Sequence, residues 1–179
     1  MAKMPPMAQI PVTSNQIRAA ISAAEQQRDL AKGLFAGSLK AFPGKQESDP
    51  LVIATEIGAC ERRIAALQTV LARYNLLVEV SFEGRQVPVA EAVKLLGGLE
   101  RLEALWQSAL AVRKEDPYGR DESRDPKLSY QEPTVPAARA AIEVSGYGTM
   151  RRGLAAALKD ANSTRITLDF DPALLGPVT

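Results

Sequence analysis

A seam of bulky apolar residues in 4-3 spacing runs through the second quarter of the chain. Its members are Ile53, Ile57, Cys60, Ile64, Leu67, Leu71 and Tyr74. Three successive heptads of this kind are typical of one stripe on a long helix that packs against another helix. We therefore predict a helix that starts with Ser48 and Pro50, since proline suits the first helical turn, and that continues to about Tyr74.

A second set of apolar residues at helical spacing precedes the seam: Ile17, Ile21, Ala24, Ala31 and Phe35, with Leu30 and Leu34 beside them. We predict a helix over about residues 15–41 that ends at Pro43-Gly44. Thr13 and Gln16 fit a capping box at its start, and Ser14 could also serve as the cap. Because only a short polar turn separates the two long helices, they must lie antiparallel as a helical hairpin.

The hydrophobic period changes to two after the seam, in residues 77–89. A turn at Glu83-Gly84 places Val80 opposite Val87 on one face, so this register is self-consistent. Pro88 then falls at an outward position, where its missing N–H costs the hairpin nothing but bars a further strand on that side. We predict a β-hairpin whose second strand is an edge of the sheet.

The next part of the chain alternates helices with polar segments. A third helix is predicted over about residues 90–114, with Gly97-Gly98 inside it. A charged loop with four prolines follows at 115–136. After this loop we predict a short helix that breaks at residues 145–148, Ser-Gly-Tyr-Gly, and a last helix over 149–161.

A second segment of period two closes the domain, with Ile166, Leu168 and Phe170 on one face. Since Pro88 closes one side of the hairpin, we predict that this segment pairs with the free side of strand 77–82. The predicted fold class is mainly α (α+β): a long antiparallel helical hairpin in a four-helix bundle, with a small antiparallel sheet of two or three strands at one end.

This bundle domain is predicted to span residues 14–170. Residues 1–13 hold three prolines and lack helical periodicity, so we predict an extended N-terminal arm. Residues 171–179 are apolar and are predicted to form a C-terminal arm.

Composition excludes several function classes. The net charge is +1, from 22 basic and 21 acidic residues, so neither nucleic acid nor a membrane is predicted as a partner. The chain has no histidine and a single cysteine, which removes histidine-activated nucleophiles and the common zinc sites. We predict no cofactor, no metal and no enzymatic activity. No signal peptide or membrane span is apparent, which favours a cytoplasmic protein or a component of a virion.

Three groups of residues could carry chemistry, and each has a simpler structural interpretation. Gly146-Tyr147-Gly148 resembles an anion-binding turn before a helix, but a plain helix break is favoured. The acids of loop 115–136 are favoured as a solvated loop over a cation site. For the acids of the predicted sheet, maintaining solubility is favoured over acid–base catalysis. Four acids are predicted on one face of that sheet: Glu79, Glu83, Asp169 and Asp171.

The seam can pack within the chain or join subunits, and both interpretations stay open. The first helix is an imperfect mate, because strict register places Arg28 between Ala24 and Ala31. Surplus apolar stripes and extended arms favour assembly. We therefore predict a non-enzymatic structural protein that forms a homo-oligomer or docks in a larger complex, for which a phage or viral particle is one suitable setting. The predicted interface residues are Ile53, Ile57, Ile64, Leu67, Leu71, Met4, Pro5, Pro6 and Ile10.

Residues 71–105 combine a helix end that contains Asn75, a short hairpin with a glycine, and a helix start of sequence Ala-Glu-Ala at 90–92. This stretch, together with the helical hairpin before it, resembles the septicolysin-like family of small helical bacterial proteins. Gly97-Gly98 departs from the charged residues expected there. The resemblance implies a helical fold, and the family name implies a membrane-active, toxin-like protein as the alternative function. It implies no functional residue.

Overall fold

The computed structural model describes residues 8–40, 49–112 and 133–176. Their elements in chain order are β1 (Ala8–Val12), α1 (Ser14–Ser38), α2 (Pro50–Leu77), β2 (Glu79–Phe82), β3 (Arg85–Pro88), α3 (Val89–Ala111), α4 (Ala137–Ala161), β4 (Ile166–Phe170) and a 3₁₀ helix (Pro172–Leu175). In this part of the chain, four helices and two small antiparallel sheets confirm the predicted fold class, mainly α.

The described residues divide into two compact units. The first unit contains the residues up to Ala90 and those from Lys159 onward, and the second runs from Glu91 to Leu158. The first unit therefore holds α1, α2, both sheets and the 3₁₀ helix, whereas the second holds most of α3 and α4.

Local signals set where α1 and α2 begin. The Thr13 hydroxyl accepts from the Gln16 backbone N–H at 3.2 Å, and the Gln16 side chain accepts from the Thr13 N–H at 3.0 Å. This reciprocal pair confirms the predicted capping box. α2 begins at Pro50, as predicted, and the Asp49 carboxylate caps it by accepting from the Leu51 N–H at 2.9 Å.

The helices α1 and α2 form the predicted antiparallel hairpin. At one end, the backbone of Ser14 hydrogen-bonds to the Tyr74 hydroxyl. Farther along, Arg28 and Lys32 of α1 lie 3.5 and 3.7 Å from the Glu61 carboxylate of α2. Both predicted stripes contribute to the core, which includes Ile17, Ala20, Ala24, Ala31, Ile53, Cys60, Ile64, Leu67, Val70 and Tyr74.

The side chain of Arg28 shows how the imperfect match between the two stripes is resolved. Its guanidinium donates to Asp29 at 3.0 Å and lies 3.5 Å from Glu61, so the charge is paired with carboxylates and is not left alone among apolar residues. The hydrogen bond raises the pKa of Arg28 and lowers the pKa of Asp29. The contact that joins the two helices is Arg28 with Glu61, and because the Glu61 side chain is half exposed we expect it to add little to stability.

The β2–β3 hairpin has the predicted register. The aligned pairs are Glu79 with Pro88, Val80 with Val87, Ser81 with Gln86 and Phe82 with Arg85. Glu83 and Gly84 form the turn with φ of 50° and 78°. Positive φ at both central residues is what the type I′ hairpin turn requires, and glycine adopts it at no steric cost.

The strand β4 pairs with β1, so the predicted pairing with the free side of strand 77–82 was wrong. Ile10 lies opposite Leu168, and Val12 lies opposite Ile166. Val12 and Leu168 are both buried. The physical reason is that residues 8–12 also alternate in polarity, so the end of the predicted arm is a strand that can pair with β4 and place its apolar residues on the same face of the sheet.

Pro11 is tolerated inside β1 because the backbone groups of the β4 residue opposite it point away from β1. The carbonyl of Asp169 accepts from Arg73 Nη1 at 3.4 Å, so it points away from β1. Backbone direction alternates along a strand, and Thr167 therefore points the same way. Pro11 lies opposite Thr167, at a pair that exchanges no hydrogen bonds, so its missing N–H costs no ladder bond.

The helix α4 is continuous from Ala137 to Ala161, so the predicted break at residues 145–148 was wrong. A glycine inside a helix costs about 1 kcal/mol relative to alanine, a cost that tertiary packing can offset. Gly148 is buried, and a Cβ atom there would lie 3.1 Å from Glu103 Oε1. This glycine leaves room for the ion pair of Glu103 with Arg151, whose atoms are 2.6 Å apart.

The 3₁₀ helix attaches the start of the predicted C-terminal arm to α2. The Asp171 carboxylate caps it by accepting from the Ala173 N–H at 2.9 Å. Arg63 Nε of α2 donates to the Leu174 carbonyl at 3.0 Å. Most of the predicted charged loop, residues 115–132, lies outside the described residues.

Candidate interaction surface

The predicted seam faces the inside of the chain. Ile53, Ile64 and Leu67 are buried, and Ile57 and Leu71 are half-buried. Side chains that the chain itself covers offer little apolar area to another molecule. The seam therefore serves the packing of α2 within the chain, which is one of the two interpretations that the sequence left open.

The predicted interface residues of the N-terminal arm have separate outcomes. Met4, Pro5 and Pro6 lie outside the described residues. Ile10 is half-buried in β1 and is aligned with Leu168 of the same chain. The described end of the arm thus makes its backbone pairing within the chain.

Five aliphatic side chains are exposed where α1 ends and α2 begins. We call them the hairpin-tip surface: Leu30, Leu34, Leu39, Leu51 and Val52. Their exposed fractions run from 56% for Val52 to 76% for Leu51. Leu30 and Leu34 lie one helical turn apart and share a face of α1. Because α1 and α2 are antiparallel, all five residues belong to one end of the helical hairpin.

The opposite end of the helical hairpin combines a buried core with two exposed leucines, Leu76 and Leu77, each 64% exposed. Tyr74 is fully buried there, and its hydroxyl lies 2.6 Å from the carbonyl oxygens of Ala161 and Thr164. Phe170 of β4 and Val12 of β1 are buried as well. Burial raises the pKa of Tyr74, and the hydrogen bond from the Ser14 backbone partly offsets that rise.

Sequence reasoning placed Leu30 and Leu34 beside the buried stripe of α1 but gave them no role. Their 63–73% exposure shows that they lie outside the packed face. The signal that could have identified them was an apolar pair at i and i+4 displaced from the stripe, since a solvated helix face normally carries polar residues. The second unit also exposes aliphatic residues, among them Leu105 and Ile142.

The four acids predicted to share a sheet face do not do so. Glu79 belongs to β2 and Glu83 to the adjoining turn, whereas Asp169 belongs to β4 and Asp171 follows it. β2 and β4 lie in different two-stranded sheets, so the predicted cluster was wrong for the same reason as the strand pairing. The anion-binding turn that was the less favoured interpretation of Gly146-Tyr147-Gly148 does not form either, because those residues are helical and their N–H groups belong to α4.

A shallow groove of about 360 Å³ lies between α2 and the β4 segment. Its lining residues are Ala66, Thr69, Val70, Arg73, Asp169, Phe170, Asp171 and Leu174. Two of its charged groups already have structural roles, since Arg73 donates to the Asp169 carbonyl and the Asp171 carboxylate caps the 3₁₀ helix. The groove therefore does not bring together an acid and a base that are free to react.

Two other kinds of site are absent from the described ranges. No three histidine, cysteine, aspartate or glutamate side chains of residues 8–40, 49–112 and 133–176 converge as metal ligands. Among the helices of those same ranges, none combines the length and the apolar character that crossing a bilayer requires.

Comparison with known proteins supports the fold and is silent on activity. No protein-family model matches the chain, and no curated protein matches it. The chain is similar in structure to a functionally unknown conserved protein from Corynebacterium diphtheriae, with a TM-score of 0.62 and 19% sequence identity. The similarity covers 88% of this chain and 99% of the other. At this identity it shows a shared fold alone.

Proposed function

We propose that this chain is a non-enzymatic assembly protein that self-associates or docks in a larger complex through its hairpin-tip surface. The observation that carries the proposal is the exposure of five aliphatic residues at one end of the α1–α2 hairpin. Exposed aliphatic residues scattered singly are ordinary, whereas a group of them at one place is typical of a protein-interaction site.

The proposed role, assembly, is the one predicted from the sequence, but its contact lies at the hairpin-tip surface and not at the seam or the N-terminal arm. The seam is covered within the chain, and β1 is paired with β4, so neither supplies the main contact. At the tip, each leucine that became buried against a partner would contribute about 1.5–3 kcal/mol. Several such residues together suffice for a specific contact even after the entropic cost of association.

The test compares charge placed at the two ends of the α1–α2 hairpin. We expect the double variant Leu34→Lys, Leu51→Lys to weaken association, because a lysine ammonium is costly to bury without a partner. Leu76→Lys is the matched control, since Leu76 is similarly exposed, at 64%, but lies at the far end of α2. Sedimentation velocity over a concentration series measures the association of each chain, and circular dichroism verifies that each variant folds.

Two outcomes would count against this proposal. One is a wild-type chain that stays monomeric at about 100 µM and binds no purified partner, since functional contacts commonly have dissociation constants at or below the micromolar range. The other is equal association of the tip variant and the Leu76→Lys control. The septicolysin-like, membrane-active alternative stays a prediction, and release of a dye from lipid vesicles would favour it instead.

A further inference from the structure

The outer edge of β2 carries a row of backbone groups that β3 does not use. In a hairpin with a two-residue turn, the residues that flank the turn exchange hydrogen bonds, and the pattern then alternates along the strands. The Val89 N–H donates to the Val78 carbonyl at 2.9 Å, as expected if Val78 and Val89 are one of the hydrogen-bonded pairs in this alternation. Glu79 and Ser81 therefore direct both their N–H and their C=O groups away from β3.

Only one of the two hairpin edges is suited to accept another strand. On the outer edge of β3, Pro88 has no N–H to donate. On the outer edge of β2, Glu79 and Ser81 supply two donors and two acceptors. The sheet that contains β2 has two strands in the described part of the chain, and β4 lies in the other sheet. An unpaired strand edge of this kind is a template for strand addition.

We propose that the β2 edge binds the β2 edge of a second copy of this chain, antiparallel and across a two-fold axis. The two hairpins would then form one continuous four-stranded sheet. The contact uses main-chain hydrogen bonds and is independent of the hairpin-tip surface. It goes beyond the proposed function by naming a second site and its occupant.

Charge selects one register for this pairing. If the axis passes through Val80, Glu79 lies opposite the partner's Ser81, and no two carboxylates are directly opposed. With the axis at Glu79, the two Glu79 side chains oppose one another, and with the axis at Ser81 the partner's turn residue Glu83 comes next to Glu79. Like charges directly opposite one another destabilise a strand pair, so the register centred on Val80 is favoured.

The same register matches the apolar face of the hairpin. Val80 meets the partner's Val80 at a pair without hydrogen bonds, where side chains approach most closely. Val78 lies opposite the partner's Phe82, and both belong to the face that carries the buried Val80 and Val87. Every register centred on a β2 residue pairs like faces in this way, and Val78 and Val80 are already buried within the chain, so the contact depends on its main-chain hydrogen bonds and the register on charge.

A charge-exchange experiment tests the edge and its register together. Ser81→Glu places two like-charged pairs across the axis, and we expect the dimer to weaken roughly tenfold and to recover at high salt. The double variant Glu79→Lys, Ser81→Glu turns both pairs into attractive ones and should restore the dimer. Gln86→Glu adds the same charge to the same face at the β3 edge, and we expect it to leave the dimer unchanged.

Sedimentation equilibrium of the full chain measures the dimer constant of each variant. The proposal is overturned by a wild-type chain that is monomeric at about 1 mM, or by a dimer that does not respond to Ser81→Glu. It is also overturned if the double variant fails to restore a dimer that Ser81→Glu has weakened. A dimer that responds only to the tip variants would uphold the proposed function and reject the β2 edge, so the two failures are distinguishable.

Discussion

The hydroxyl of Tyr74, near the end of α2, lies 2.6 Å from the carbonyl oxygen of Ala161, the last residue of α4. The carbonyl of Thr164 is equally near, so one phenol proton serves two acceptors at the turn that leads into β4. Since Tyr74 is fully buried, these contacts connect residues distant in sequence inside the first unit. The hairpin α1–α2 and the β1–β4 sheet are thereby held in one unit.

We expect Tyr74→Phe to lower the free energy of unfolding by about 1–3 kcal/mol, because it leaves buried carbonyl oxygens without their donor. Urea denaturation followed by circular dichroism measures the change. Tyr147→Phe is the control, since Tyr147 is only half-buried and its loss of a hydroxyl should have little effect. Equal stability of the two variants would contradict a structural role for the Tyr74 hydroxyl.

The raised pKa of Tyr74 predicts a loss of stability in alkaline solution. The folded state favours the neutral phenol, so this contribution is fully present below the unfolded pKa of about 10. It is lost as the pH rises from there through the folded pKa, because the unfolded chain releases the proton first. Unfolding curves between neutral pH and about pH 11 should show this decline for the wild type. A smaller decline is expected for Tyr74→Phe, and an identical pH profile would refute the assignment to Tyr74.

The pairing of β1 with β4 predicts that residues near the start of the chain stabilise the fold. Val12 is fully buried, so Val12→Ala should lower the free energy of unfolding by about 2 kcal/mol through lost burial and the cavity that remains. Thr167→Ala trims a side chain of similar size from the exposed side of the same sheet and should change stability by less than about 0.5 kcal/mol. Thermal melts distinguish the two outcomes. If both variants melt like the wild type, β1 does not contribute to the core.

Two glycines of α4 should respond differently to alanine. Gly146 has open space where a Cβ atom would lie, so Gly146→Ala should stabilise the protein by about 0.5–1 kcal/mol through helix propensity and chain entropy. At Gly148 the same atom would lie 3.1 Å from Glu103 Oε1, and the ion pair with Arg151 must shift.

We therefore expect Gly148→Ala to gain less than Gly146→Ala, or to destabilise the protein. Chemical denaturation of both variants at low and high salt provides the comparison. Equal stabilisation at the two positions would show that Gly148 does not serve the Glu103 contact.

Much of the fold followed from signals that act over a few residues. The capping box of Thr13 and Gln16 sets the start of α1, and Pro50 sets the start of α2. The turn at Glu83-Gly84 sets the hairpin register through backbone conformations that few residues adopt. Because each of these signals is satisfied by near neighbours, its outcome does not depend on the rest of the chain.

The candidate interaction surface was less accessible to sequence reasoning. A 4-3 seam predicts that a helix face is covered, but it does not say whether the cover comes from the same chain. The exposed Leu30 and Leu34 carried a weak signal, since residues beside a stripe can lie on either side of the burial boundary. Only the arrangement of α1 against α2 showed which apolar residues remain uncovered.

The sequence by itself determined the helices, the tight turn and the strand alternation, because their periods and caps are local properties of the chain. The tertiary structure decided that β4 pairs with β1 and that α4 continues through Gly148. Strands far apart in sequence can exchange partners with no change in local pattern, and a glycine's cost of about 1 kcal/mol is small beside the packing of a whole helix. Those choices depend on which surfaces meet in space.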